Sequence, residues 1–399
     1  TIMGLAPTIL CPDNKQTALV IGFGSGTTFG TVLQSPWVES ATVIELDDSI
    51  YSIAPLFRPS NLNPLTPANI SSGRARTVVA DARAYLAMHD TKYNIIISQP
   101  SEPWLSGSSN LFTREFFKLS SSRLKDRGIF CQWLQLYAIS RDDLCVLLKT
   151  FNQSFKDCTI LHKPGAGEII LLGSNSKIDS KKQTKVLFKR LDQTRAGDLL
   201  GQVGLEDAYH FLSTIISFPN RTRAMVGAKD VTINTDDNLF AELRLATGKN
   251  PEEATIDEII NWLTEREAKT LRSDYSSHFD LNNIEKARLA LSLASMSLER
   301  DGFYTDRLLK KHLLRESISM RSDKTVRVKY RVRVEEAKAL VQEIERSDPG
   351  LSEIIRERVS SICGEPGKEN THRKTPLALQ DSDALSPFAR SQLALLYLE

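Results

Sequence analysis

The sequence predicts an α/β protein: a doubly wound sheet followed by an α-helical C-terminal region. Three observations carry that prediction. Residues 17–173 alternate short apolar runs with helix-length amphipathic ones, the pattern of successive βαβ units. The first apolar run, residues 18–21, breaks into Gly22, Gly24 and Gly26, and a helical stretch then leads to a second apolar run, 41–44, that ends in Glu45. From about residue 250 the strand-like runs give way to highly charged helical patterns.

The apolar runs set the strands at 18–22, 41–45, 76–80, 93–98, 128–133 and 168–173, with helices between them. Continuous rather than alternating apolar residues are what a parallel strand covered on both faces requires. Ser140 and Asp143 have N-cap and N3 spacing, so a helix is expected from Arg141 to Phe155. Residues 55–73, rich in Pro, Asn and Ser, read as a mobile loop, and the polar run 174–183 reads as a linker. A helical pair is expected over 185–247, a packed helix face over 283–299, a polar disordered stretch over 364–384 and a last short helix over 387–398. Valines and Tyr330 alternate with Arg327, Lys329, Arg331 and Arg333; period two favours a strand, the neighbouring helices favour a helix, and the choice stays open. The expected divisions are 1–175, 176–249, 250–362 and 363–399.

The 399 residues are 41% hydrophobic and 25% charged, an ordinary globular composition, with a formal net charge of +2 that decides nothing about nucleic acid. Five scattered cysteines (11, 131, 145, 158 and 363) form no C-x-x-C pair, and the six histidines show no ligand spacing. Reduced, mostly buried thiols and no metal site are expected. No apolar run reaches the roughly 18 residues a membrane helix needs, and no signal peptide is recognised. The chain opens on Thr1, which leaves a preceding segment open, a membrane segment included.

Three clusters could carry chemistry. Glycines after the first strand let a backbone approach a ligand closely and turn amide N–H groups toward it. An acid ending the next strand, Glu45, can accept both hydroxyls of a ribose. A nucleoside-bearing co-substrate is the functional reading; a tight strand-to-helix turn with a solvated Glu is the plain one. After the third strand, Asp81 could accept from an exocyclic amine while the Ala82 N–H donates to the ring, although Asp81 also suits a helix N-cap. After the fourth come Gln99, Glu102 and Trp104, in a loop stiffened by Pro100 and Pro103, at the strand end where open α/β sheets place reacting groups. Glu102 is a candidate base and Trp104 a wall for a cationic or planar substrate. The plain alternative is a stiff loop with a surface Glu. Gln132, Trp133, Gln135 and Tyr137 could line the same pocket or simply be buried. The aromatics of 111–117 read as core.

These segments, in order, resemble the spermidine synthase family: Ile-Gly-Phe-Gly-Ser-Gly, Val-Ile-Glu-Leu, Asp81-Ala82, Tyr-Asn-Ile-Ile-Ile-Ser-Gln-Pro-Ser-Glu-Pro-Trp, Leu-Phe-Thr-Arg-Glu-Phe-Phe and Gly-Ile-Phe-Cys-Gln-Trp-Leu-Gln-Leu-Tyr. The resemblance is strongest to its divergent bacterial branch, often fused to a transporter-like membrane region. Asn-Thr-Asp-Asp-Asn at 234–238 also resembles a motif of that branch. The likeness spans about residues 5–247.

It implies a class I S-adenosylmethionine-methyltransferase-like (Rossmann-like) sheet. The implied reaction moves an aminopropyl group from decarboxylated S-adenosylmethionine to a polyamine. Gly22, Gly24, Ser25 and Gly26 would then hold the donor's tail, Glu45 its ribose, and Asp81 with Ala82 its adenine. Glu102 would be catalytic, and Gln99, Trp104, Gln132 and Tyr137 would bind the amine. Gln99 and Ser25 stand where relatives carry acids. Two alternatives follow: methyl transfer from intact S-adenosylmethionine, or a catalytically degenerate domain whose helical tail binds protein. A small-molecule amine, a protein partner or a homodimer are the implied partners, with no nucleic acid. The implied location is the cytoplasm, or the cytoplasmic face of a membrane.

Overall fold

The computed structural model describes residues 1–177, 180–192, 194–205, 207–227, 231–245, 256–264, 275, 277–281, 289 and 292–293. The chain forms two compact units, Thr1–Asp280 and Leu281–Glu399. Only positions 281, 289, 292 and 293 of the second unit are described. The expectations for most of 283–299, and for 326–333, 364–384 and 387–398, lie outside the described residues.

The first unit is built on one eight-stranded sheet. Its strands are β1 (Gln16–Ile21), β2 (Val38–Glu45), β3 (Ala75–Val79), β4 (Tyr93–Ser98), β5 (Leu124–Gln135), β6 (Asp157–Leu161), β7 (Glu168–Ser174) and β8 (Ile215–Ser217). They lie in the order 3-2-1-4-5-7-6-8. The run from β3 to β5 is parallel, while β7 pairs antiparallel with β5 and β6, and β6 antiparallel with β8. The five parallel strands and β7 match the expected runs. Strands β6 and β8 are additions: Asp157–Leu161 and Ile215–Ser217 are too short to show a period.

The helices are α1 (Ile2–Leu10), α2 (Thr27–Leu33), three single turns α3 (Ser49–Ile53), α4 (Arg58–Asn61) and α5 (Pro67–Ser71), α6 (Ala82–Met88), α7 (Arg114–Ser122), α8 (Arg141–Ser154), α9 (Ser180–Leu191), α10 (Arg195–Gly201), α11 (Ala208–Ser213), α12 (Pro219–Gly227) and α13 (Ile256–Thr264). The Ser140–Asp143 capping box at the start of α8 is formed in both directions. It satisfies helix amides that would otherwise be orphaned.

Two expectations change. Residues 55–73 are not an open loop. Pro55, Pro59 and Pro67 each open a short helical turn, because proline's fixed φ suits the first helical position. The side chain of Asn61, only 1% exposed, donates to the carbonyls of Ser25 and Ala54 and so buttresses the glycine turn. A Cβ on Gly30 would fall 1.9 Å from the Asn61 carbonyl oxygen, so α2 approaches this segment only as glycine allows. The 174–183 stretch is also shorter as a linker than expected, since α9 begins at Ser180.

The core on one face of the sheet is aromatic. Phe116, Phe117, Phe130, Phe151 and Phe155 interlock with centroid spacings of 4.7–6.4 Å, as the 111–117 reading expects for its part. Burying each ring contributes about 1.5–3 kcal/mol. On the other face, Arg190 of α9 donates to the carbonyls of Ile9 and Asp13 and lies over the Trp37 ring, tying α9 to the end of α1. The parallel run places the carboxyl ends of β1, β2, β4 and β5 on one side of the sheet.

Candidate active site

The glycine turn follows β1. Gly22, Gly24 and Gly26 have φ of 86°, 54° and 83°, left-handed values that residues with a Cβ rarely adopt. A Cβ on Gly24 would meet nothing within 4 Å, so this backbone is open to a ligand. Glu45, at the end of β2, reaches back to the turn. Its Oε2 accepts from Phe23 N at 2.8 Å and Gly24 N at 3.4 Å, and its Oε1 from Leu46 N at 2.8 Å. A carboxylate has about four acceptor sites, so capacity remains for a hydroxyl. Ser25 pairs with Thr27 through their hydroxyls at 2.9 Å.

Asp81 follows β3, the neighbour of β2, and caps α6 by accepting Ala84 N at 2.7 Å. The plain N-cap role is therefore present. Its outer oxygen remains exposed, and the buried Ala82 opens the helix beside it.

The third cluster follows β4. Gln99 accepts from Thr28 Oγ1 at 2.6 Å, so the structure commits its carbonyl oxygen to the start of α2. Glu102 accepts from the Tyr137 hydroxyl at 2.9 Å, bringing the loops after β4 and β5 together. Trp104 meets Tyr137 edge-on at 6.2 Å between centroids. Gln132 is fully buried beside Ser98, with its amide on the Trp133 carbonyl at 3.2 Å. Its Oε1 and the Ser98 hydroxyl have no hydrogen-bond partner among the described residues. Gln132 is buried as the plain reading held, while Tyr137 is 43% exposed and reaches Glu102.

Two residues here carry no sequence signal as site residues or only a weak one. Gln135 and Glu168 stand opposite each other across the antiparallel β5–β7 pair. Both amide atoms of the fully buried Gln135 lack a partner among the described residues. Burial holds the Glu168 carboxyl above the usual carboxylate range. The Tyr137 hydroxyl is likewise raised, first by desolvation and then by the carboxylates of Glu102 and Glu168. Glu102 holds the phenol by a hydrogen bond, while Glu168 acts on it through its charge alone. Among the described residues, no three His, Cys, Asp or Glu side chains converge as metal ligands.

The strand order and the glycine turn after β1 define a methyltransferase-like variant of the Rossmann sheet. Residues 2–164 match the model of the spermine/spermidine synthase domain. The polyamine aminopropyltransferase of Thermococcus onnurineus is 28% identical over 202 residues, covering 48% of this chain and 65% of that protein. The polyamine aminopropyltransferase of a Bacillus cereus strain is 31% identical over 117 residues, 29% of this chain and 40% of that one. The crystal structure of a spermidine synthase in complex with the transition-state analogue AdoDATO overlays 57% of this chain and 74% of that chain, at 19% identity and a TM-score of 0.44. This chain spans 40% to 65% of the length of these two relatives.

Proposed function

We propose that this chain transfers an aminopropyl group from decarboxylated S-adenosylmethionine to an amine. One observation carries the reading: Glu102, held by Tyr137, stands at the end of β4, next to the strand whose glycine turn Glu45 grips. A sulfonium donor makes its adjacent carbon electrophilic. The amine nitrogen forms the new C–N bond as the C–S bond breaks, and the bonding electrons leave on sulfur as methylthioadenosine. The nitrogen's proton goes to Glu102. An alkylammonium has a reference pKa of about 10.4, so at neutral pH a base is needed to free the lone pair.

In this reading Gly22, Gly24, Ser25 and Gly26 hold the donor tail, Glu45 takes the ribose, and Asp81 with Ala82 takes the adenine. Trp104 and Tyr137 desolvate and orient the amine. Gln99, engaged with Thr28, adds polarity without charge. Ser25 leaves the glycine turn without an acid, which favours the intact donor's carboxylate more than an acid would. Calorimetry with decarboxylated and with intact S-adenosylmethionine separates the two donors. The proposal expects tighter binding of the decarboxylated form, and a clear preference for the intact form contradicts it.

A further inference from the structure

Residues 234–245 lie beyond the matched domain, yet several of their polar contacts reach the loops that form the site. Asn234 accepts from Arg114 N at 2.9 Å and donates to the Phe112 carbonyl at 3.1 Å, closing the loop that carries Glu102. Asp236 forms a forked ion pair with Arg83, the residue after Ala82, although the two are 153 positions apart. Arg83 in turn donates to the Asn110 carbonyl at 3.2 Å. A π-helical turn, Ala241–Leu245, follows, with Ala241 fully buried as its apolar anchor.

The two charged side chains of this turn go to different loops. Glu242 accepts from the Ser109 hydroxyl, and its neighbour Ser108 donates to the Glu102 carbonyl at 2.7 Å. Arg244 donates to the buried Asp143 at 2.8 Å. The other oxygen of Asp143 accepts from the Ser140 hydroxyl at 2.6 Å, three residues after Tyr137. One turn therefore braces both backbones whose tips meet in the Glu102–Tyr137 hydrogen bond.

We infer that residues 234–245 are a positioning strap, with Glu242 and Arg244 setting the relative placement of Glu102 and Tyr137. Neither residue reaches the reacting atoms; both act through the loops. The need is physical. The loop after β4 and the loop after β5 leave the sheet separately, and a 2.9 Å bond between their tips fails if either drifts by an ångström. Misplacement on that scale costs up to about 10²-fold in rate. The ties from Asp236 to Arg83 extend the same brace to the donor side.

The catalytic arm of the test rests on the aminopropyl-transfer reading; the exchange arm does not. Arg244→Ala and Glu242→Ala should each lower kcat by about tenfold with donor Kd unchanged within twofold, and Arg244→Lys should recover most of the loss. Combined with Glu102→Gln, Arg244→Ala should add almost nothing, because it acts through Glu102. Losses that multiply, or donor affinity that falls in step with kcat, overturn the inference. In hydrogen exchange of the free protein, both variants should speed exchange over 99–109 and 136–140 while leaving 17–45 as in wild type. Unchanged exchange in those two loops overturns the strap. A wild type inert with every amine, but with loops that loosen as described, refutes the transferase reading and leaves the strap standing.

Discussion

Glu102→Gln isolates basicity at the site. The Tyr137 hydroxyl donates to Glu102 at 2.9 Å, and an amide oxygen accepts the same bond, so the two loops stay joined in the variant. What disappears is the ability to take a proton. A positioned general base contributes about 10²- to 10⁴-fold, or roughly 3–5 kcal/mol of barrier. The loss has a pH signature. With an amine pKa of about 10.4, the neutral fraction is roughly 0.4% at pH 8 and roughly 30% at pH 10. A variant that can only capture pre-formed neutral amine should recover up to about 70-fold relative to wild type over that range. The assay is methylthioadenosine release under saturating donor and amine, with donor affinity measured separately by calorimetry. Donor Kd should stay within about twofold, since Glu102 lies on the acceptor side. A variant with normal turnover, or a deficit independent of pH, refutes Glu102 as the base.

Other outcomes follow from neighbouring residues. Glu45→Gln keeps one acceptor oxygen but removes the charge that holds the Phe23 and Leu46 amides and that the proposal assigns to a ribose. Each charged bond is worth about 1.5–3 kcal/mol, so donor Kd should rise at least tenfold by calorimetry, and an unchanged Kd contradicts the nucleoside site. Glu168→Gln removes a carboxylate whose charge acts on the Tyr137 hydroxyl. It should raise KM for a diamine by about tenfold while sparing a monoamine; equal effects on both contradict its facing a distal charge. The Arg83 guanidinium holds the Asp236 carboxyl below its usual range. A group depressed in the folded state stabilises above its unfolded pKa, and that contribution is lost as pH falls through the folded value. Stability to urea should therefore fall below about pH 4, and Asp236→Asn should flatten that limb. An identical acid limb in the variant contradicts the pairing.

The parallel half of the sheet was legible because its strands are buried on both faces. Leu19, Val20, Ile95, Ile96 and Ile97 have no exposed surface, and such runs announce themselves as unbroken apolar stretches. The antiparallel end was not. Asp157–Leu161 offers five residues with half-buried positions at Asp157 and Thr159, and it becomes a strand by pairing with β7 and β8. The Pro-, Asn- and Ser-rich composition of 55–73 points to a mobile loop, but Pro55, Pro59 and Pro67 start helical turns, because proline's φ fits both roles. In the site, Glu45, Asp81 and Glu102 stood out as acids at strand ends. Glu168 did not, since only the β5–β7 register brings it beside Gln135. The Asn234–Asn238 motif was visible as a motif, but its target Arg83 was set by tertiary packing alone.

The central claim meets its most direct test in the products of the wild-type protein. Incubated with decarboxylated S-adenosylmethionine and putrescine, it should release methylthioadenosine and form an amine heavier by one aminopropyl group, in equal amounts by mass spectrometry. Neither product should form from intact S-adenosylmethionine under the same conditions. Formation of S-adenosylhomocysteine and a methylated acceptor from the intact donor, with no aminopropyl product from the decarboxylated one, would contradict aminopropyl transfer and assign the site to methyl transfer.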